Sequence, residues 1–120
     1  MDNKPKFKFE KLHIWREAMQ LGEAVIKIAD TFPNKEHYNL TSQMCRAVDS
    51  IALNISEGSI VQSKPEFRKF LGYSARSLAE VVTCLHKANY RKYISPAIFS
   101  ALYNDCFRLM NRIIAFRNKL

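Results

Sequence analysis

Residues 43–58 read as one helix carrying two stripes. Leu40, Met44, Ala47, Val48, Ile51 and Ile55 recur every three or four residues, the period of an apolar helix face. Gln43, Arg46, Ser50, Asn54 and Glu57 keep the same period, rotated by about one residue. A surface helix ordinarily places charged residues there. A Gln/Arg/Ser/Asn/Glu ladder beside a core face points instead to a buried or half-buried hydrogen-bond network against a neighbouring helix.

The rest of the chain supplies that neighbour. With 120 residues it fits one domain and can bury a core without a disulfide or metal staple. Three Gly and four Pro leave little material for turns, which favours few, long helices. Steps of three and four through Trp15, Ala18, Gly22, Val25, Ala29 and Phe32 predict a first helix over 12–32. Pro33 ends it, Asn34 can cap the next, and the second helix spans 35–57 with Gly58 as its C-cap. Ser63, Pro65 and Glu66 form a helix start of the capping-box type, opening a third helix over 64–89. Ser95 and Pro96 open a fourth over 96–117, with Phe99, Leu102, Cys106, Leu109, Ile113 and Phe116 on its seam. Residues 1–10 form a flexible basic arm. No segment alternates with the period of a strand. Short connections make consecutive helices antiparallel, so the expected fold is all-α, a left-handed up-down-up-down four-helix bundle. Helices that are apolar on more than one face suggest that bundles pack against each other as a homo-oligomer.

An antiparallel third helix would bring its own polar steps, Ser74, Ser77 and Glu80, against the ladder. Ser77 would then lie near Ser50, and Glu80 would pair with Arg46 inside an interhelical polar layer. The same ladder contains catalytic residue types, but no His lies in it, no Gly-x-Ser-x-Gly elbow or phosphate-cradling Gly-rich loop exists, and paired Glu-x-x-His motifs are absent. Cys45, Cys84 and Cys106 lie on three different helices without a Cys-x-x-Cys pair, and read as reduced, mostly buried thiols. His13, His37 and His86 show no metal-binding spacing. No enzyme, metal or cofactor is therefore expected. No apolar run reaches membrane-span length and the N-terminus lacks a signal-peptide core, so the expectation is a cytoplasmic protein without a membrane partner.

Charge divides the chain more sharply than any motif. Residues 1–58 hold eight Lys/Arg and eight Asp/Glu, whereas residues 59–120 hold eleven Lys/Arg and three acids, so the second half carries the whole net charge of +8. That is compatible with RNA or DNA as a partner, or with plain solubility charge. Candidate phosphate contacts are Lys64, Arg68 and Lys69 with Arg91 and Lys92, and on the fourth helix Arg108, Arg112, Arg117 and Lys119. No helix-turn-helix, zinc knuckle or aromatic stacking platform accompanies them, so base-specific readout is not indicated; Tyr90 and Tyr93 beside Arg91 and Lys92 are only a weak hint of stacking. Cations at a helix C-terminus also offset its dipole, a structural use open to Arg117 and Lys119.

Residues 9–89 resemble the bacterial 23S rRNA-intervening-sequence proteins. The likeness runs through Phe9-Glu-Lys-Leu-His-Ile-Trp15, Leu40-Thr-Ser-Gln43, Arg46-Ala47, Ser50-Ile51, Asn54-Ile55, Glu57-Gly58, Glu66-Phe67, Phe70-Leu71, Ser77-Leu78 and Glu80. The resemblance implies a four-helix bundle in a ring-like homo-oligomer, a homopentamer, with no catalytic residues to carry over. Related bundles accompany reverse transcriptases, so it also implies, as an alternative to nucleic-acid binding, a protein-interaction scaffold or accessory subunit for a polymerase. Three positions depart from the family pattern. Cys45 replaces a usual Arg, Val61 a frequent Arg, and Arg76 a common small residue. If those arginines are RNA contacts in the family, this chain binds differently, and Arg76 must point outward or into a subunit interface.

Overall fold

Ser63 and Ser95 each stop an incoming connection and start a helix. In the computed structural model, which describes residues 4–120, the Ser63 hydroxyl accepts from the Glu66 N–H at 3.2 Å and the Ser95 hydroxyl from the Ile98 N–H at 3.1 Å. Each bond satisfies one of the N–H groups that a helix start leaves without a partner, and Pro65 and Pro96 occupy first-turn positions where no such N–H is needed. Among the described residues there are four α-helices and no strand: α1 (His13–Ala29), α2 (Leu40–Ser59), α3 (Lys64–Tyr90) and α4 (Pro96–Lys119).

Side-chain contacts set the topology. Gly58 lies against Phe67 between α2 and α3, Phe67 meets Phe116 and His86 meets Phe99 between α3 and α4, and Glu17 meets Arg112 between α1 and α4. In each pairing an early residue of one helix faces a late residue of the other, so neighbours run antiparallel and the order is up-down-up-down. Val25, Met44, Ile51, Ile55, Leu71, Leu78, Val81, Leu85 and Ile113 fill the shared core. All four helices contribute to it, and this burial is the main favourable term in holding them together.

Besides α1, which ends at Ala29 and not at the expected 32, the structure departs from the sequence-based expectation at three joints. The first is the N-terminal arm. Lys8–Lys11 forms a 3-10 turn, in which the Phe7 N–H donates to the Glu10 carboxylate at 3.0 Å and Phe9 packs on Trp15 with ring centroids 5.2 Å apart. Residues 1–3 of the expected arm lie outside the described residues.

The second is the start of α2 at Leu40, later than the predicted 35. Asn34 does not cap α2; it opens the 3-10 turn Asn34–Glu36. The cause is tertiary. The Glu36 carboxylate is buried in that turn, accepting from the Tyr93 hydroxyl at 2.6 Å, Asn39 Nδ2 at 3.0 Å and Arg91 Nη1 at 3.3 Å. Two of its three donors, Arg91 and Tyr93, come from the α3–α4 connection, which the local sequence around residue 35 does not reveal. That connection is shaped by Lys92, which takes a left-handed φ of 61° just beyond α3. The Tyr93 and Lys92 N–H groups then donate back to the Ala88 and Asn89 carbonyls at 2.9 and 3.0 Å, a Schellman closure that aims Tyr93 at Glu36.

The third is Gly58. It is not a C-cap but lies inside α2, which runs on to Ser59. A Cβ at position 58 would fall 2.7 Å from Phe70 Cβ and 2.9 Å from a Phe67 ring carbon. Glycine is needed there because α3 crosses too closely for any side chain.

Candidate functional site

The polar ladder of α2 closes on itself against α3. Ser50 and Ser77 share a hydrogen bond of 2.6 Å between their hydroxyls. Asn54 Nδ2 donates to the Ser50 carbonyl at 2.8 Å and to its hydroxyl at 3.0 Å. The fully buried Ser74 hydroxyl donates to the Ile51 carbonyl at 2.9 Å. Gln43, Arg46, Glu57 and Glu80 stay outside this network and are exposed, and Arg46 and Glu80 form no ion pair. Long charged side chains at the edge of the interface reach water, which avoids the desolvation a buried pair would incur. Only short polar groups are held between the helices, and each is occupied by a protein partner. The part of the ladder that lies between the helices, Ser50 and Asn54 with Ser74 and Ser77, is bonded within the protein.

The basic residues of the second half divide into three places. Arg91 and Lys92 lie at the far end of α3 from Arg68, roughly 35 Å away at 1.5 Å per residue. Arg91 is engaged there by Glu36. Arg108 and Arg112 face a groove of about 360 Å³ between α1 and α4, where Arg108 pairs with Asp105 and Arg112 with Glu17. Glu17 also meets His13 Nε2 at 2.9 Å. Lys64 and Lys119 are exposed near the same end of the bundle as Arg68 and Arg117.

Arg68, Lys69 and Arg117 come together with Arg76 around one open cleft of about 460 Å³ between α3 and α4. Pro65, Gly72 and Tyr73 complete its lining, and no acidic side chain belongs to it. Backbone bonds hold two of the cations in place. Arg117 Nε donates to the Arg68 carbonyl at 2.9 Å, and Arg68 Nη1 donates to the Leu120 main-chain oxygen at 2.8 Å. Lys69 Nζ and the Arg76 guanidinium lie 6.0 and 5.7 Å from the centre of the Tyr73 ring. Like charges gathered in a concave surface focus a positive potential that draws anions.

Sequence reasoning did not include Arg76 and Tyr73 among the binding residues. The signal was present: 69, 72, 73 and 76 follow steps of three, one and three, the spacing of one helix face. What was missing was the angle of α4, which decides that this face of α3 meets Arg117.

Two apolar features lie elsewhere. A groove of about 430 Å³ between α1 and α2 is lined by Trp15, Met19, Gly22, Val48 and Leu53, with Glu23 and Asp49 in its lining. Gly22 would have nothing within 4 Å of an added Cβ, so its side-chain space is open. On α4, Tyr103, Phe107 and Ile114 form an exposed apolar stripe, with Phe107 60% exposed.

The thiols offer no nucleophile. Burial pushes Cys45 and Cys84 upward and Cys106 to about 12, which disfavours the reactive thiolate at neutral pH. Among the described residues no three His, Cys, Asp or Glu side chains are placed to hold a metal ion. None of the helices among them is long and apolar enough to cross a membrane.

With this geometry in hand, the chain can be set beside known proteins. A family model described as 23S rRNA-intervening sequence protein matches residues 10–115. Among solved structures, the chain is similar to a crystal structure from Bacteroides thetaiotaomicron VPI-5482, described as a protein with unknown function from the S23 ribosomal protein family. The two share 18% identity and superpose with a TM-score of 0.81 over 87% of this chain and 97% of the other, a likeness of fold. Comparison with curated proteins finds no match.

Proposed function

Because the chain belongs to the 23S rRNA-intervening sequence protein family, we propose that it is a non-enzymatic, cytoplasmic bundle that binds RNA or DNA through backbone phosphates without reading base sequence. The observation that carries this reading is the cleft of Arg68, Lys69, Arg76 and Arg117, four cations with no carboxylate among the lining residues. Arg108, Arg112 and Arg91 each face an acid, which offsets part of their charge, whereas the cleft cations face none. Phosphate binding by the cleft displaces condensed counterions, so affinity must fall steeply with salt, with a log–log slope near −0.9 per phosphate neutralised. Filter binding of RNA between about 50 and 200 mM salt tests this. Four cations correspond to a slope of up to about −3.6 on a duplex and about −2.8 on a single strand, and no retained RNA at the low-salt end refutes the reading.

The proposed working form is a ring-like homo-oligomer, a homopentamer of left-handed bundles. Its support is a pair of unlike apolar surfaces on different helices. The α1–α2 groove, with open space at Gly22 and the acids Glu23 and Asp49, is concave; the Tyr103/Phe107/Ile114 stripe on α4, in the basic half, is exposed. A head-to-tail contact between unlike surfaces closes into a ring when its rotation allows. Light scattering should then give about five times the 14.0 kDa chain mass. The same two surfaces favour the second reading, a scaffold or accessory subunit whose apolar faces hold a polymerase or another protein. That reading predicts a partner whose capture survives nuclease treatment.

A further inference from the structure

The basic cleft contains an aromatic surface that phosphate binding alone does not require. Tyr73 lines the cleft and is only partly buried. Phe70 packs edge-on against its ring at 5.7 Å and 80°, which limits how far the ring can turn. Lys69 stands one helical turn before Tyr73 and Arg76 nearly one turn after, with their charged ends over its ring at 6.0 and 5.7 Å from the centre; both are long, exposed side chains that can swing from the ring onto a phosphate as a base takes their place. Beside the ring, Gly72 contributes no side chain, and the atom nearest to where its Cβ would be is Arg117 Nη2 at 4.0 Å. The cleft therefore has a ring with cations before it, after it and beside it.

That combination discriminates between nucleic acids. A duplex keeps its bases stacked inside and presents phosphates and grooves, so it gains little from a ring in a cleft. A single strand can unstack a base and lay it on an aromatic face while cations hold the neighbouring phosphates. Arg76 adds a planar guanidinium, which also stacks on bases. Resting on the reading of this cleft as a phosphate-binding surface, we infer that it takes single-stranded nucleic acid, with one base stacked on Tyr73 and flanking phosphates held by Lys69, Arg76 and Arg117. The stack tolerates any base, because every base has a π-face.

The test is fluorescence anisotropy at low salt with a labelled oligothymidylate of about 15 nucleotides, in the size range of single-strand sites, and a duplex of equal length. The wild-type protein binds the single strand more tightly than the duplex. Tyr73→Leu weakens the single strand about tenfold and leaves the duplex unchanged, and Tyr73→Phe retains wild-type binding to both. On the wild-type protein, ultraviolet cross-linking of a bromodeoxyuridine-substituted strand places the adduct on Tyr73, a readout independent of how any variant folds. Equal binding of the single strand by wild type and Tyr73→Leu, or an adduct on another helix, overturns the stacking inference. If Lys69→Ala/Arg76→Ala still weakens both probes in that case, phosphate binding stands and only stacking has failed. If that double variant binds as wild type does, or the wild type binds neither probe, the phosphate reading fails and the stacking inference falls with it.

Discussion

Toward α2, helix α3 turns Ser74 and Ser77; toward the end of α4 it turns Arg68, Lys69 and Arg76. The serines are bonded to the Ile51 carbonyl and the Ser50 hydroxyl. The cations line an open cleft that contains no acid. On one side of the helix the short polar groups held between α2 and α3 have protein partners at short range, and the helices approach so closely that position 58 admits no side chain. On the other side the charge is uncompensated and the surface is concave. Polar residues between helices thus serve different ends according to what faces them. The serines are bonded across the interface, whereas the cleft cations, though two of them are anchored by main-chain oxygens, face no acidic side chain.

The largest effect should come from the cleft. Lys69→Ala/Arg76→Ala should lower low-salt RNA affinity about a hundredfold and flatten the salt slope by about 2, since each lost phosphate contact removes about one unit. Arg108→Ala/Arg112→Ala, whose charges face Asp105 and Glu17, should change the slope by much less. Equal effects in the two double variants would dissolve the distinction between cleft and groove.

On the α2 side, Gly58→Ala should destabilise the fold by about 2 kcal/mol, because Phe67 and Phe70 must shift to admit one methyl. Urea unfolding measures it, and an unchanged midpoint would show that α2 and α3 can part cheaply. Ser74→Ala, which removes a buried donor while Ile51 keeps its helical partner, should cost about 1 kcal/mol in the same assay.

The Glu36 clasp gives a pH signature. The hydrogen bond from Tyr93 holds the Glu36 carboxyl below its ordinary value of 4.5, helped by Asn39 and Arg91 and opposed by desolvation. A carboxyl whose pKa is lower in the folded state contributes stability that is complete above the unfolded value and is lost as pH falls through the folded one. Stability should therefore decline below about pH 4.5, and Glu36→Gln should flatten that acid limb in thermal melts taken across the range. An unchanged limb would assign acid sensitivity to other carboxylates. The smallest expected effect is at Lys92, whose left-handed φ of 61° suits glycine better than lysine. Lys92→Gly should raise stability by roughly 0.5 kcal/mol, once glycine's greater freedom in the unfolded chain is subtracted.

How much of this was legible from residues alone depended on the range over which each interaction acts. The starts of α3 and α4 are local: Ser63 and Ser95 bond N–H groups three residues on, so the cap pattern placed both starts where the structure has them. The helix periods and the apolar seams are local too, because side chains three and four apart share a face whatever surrounds them. Those features by themselves determined four helices, their antiparallel order and the apolar faces available to a core. The late start of α2, the role of Gly58 and the separation of the cations were decided by tertiary structure. Glu36 waits for donors from residues 91 and 93, Gly58 answers to Phe67 and Phe70, and Arg117 meets Arg68 because of the way α4 packs. Each of those pairings joins residues far apart in the chain. Spacing along one helix carries no information about which residue of another helix arrives opposite it.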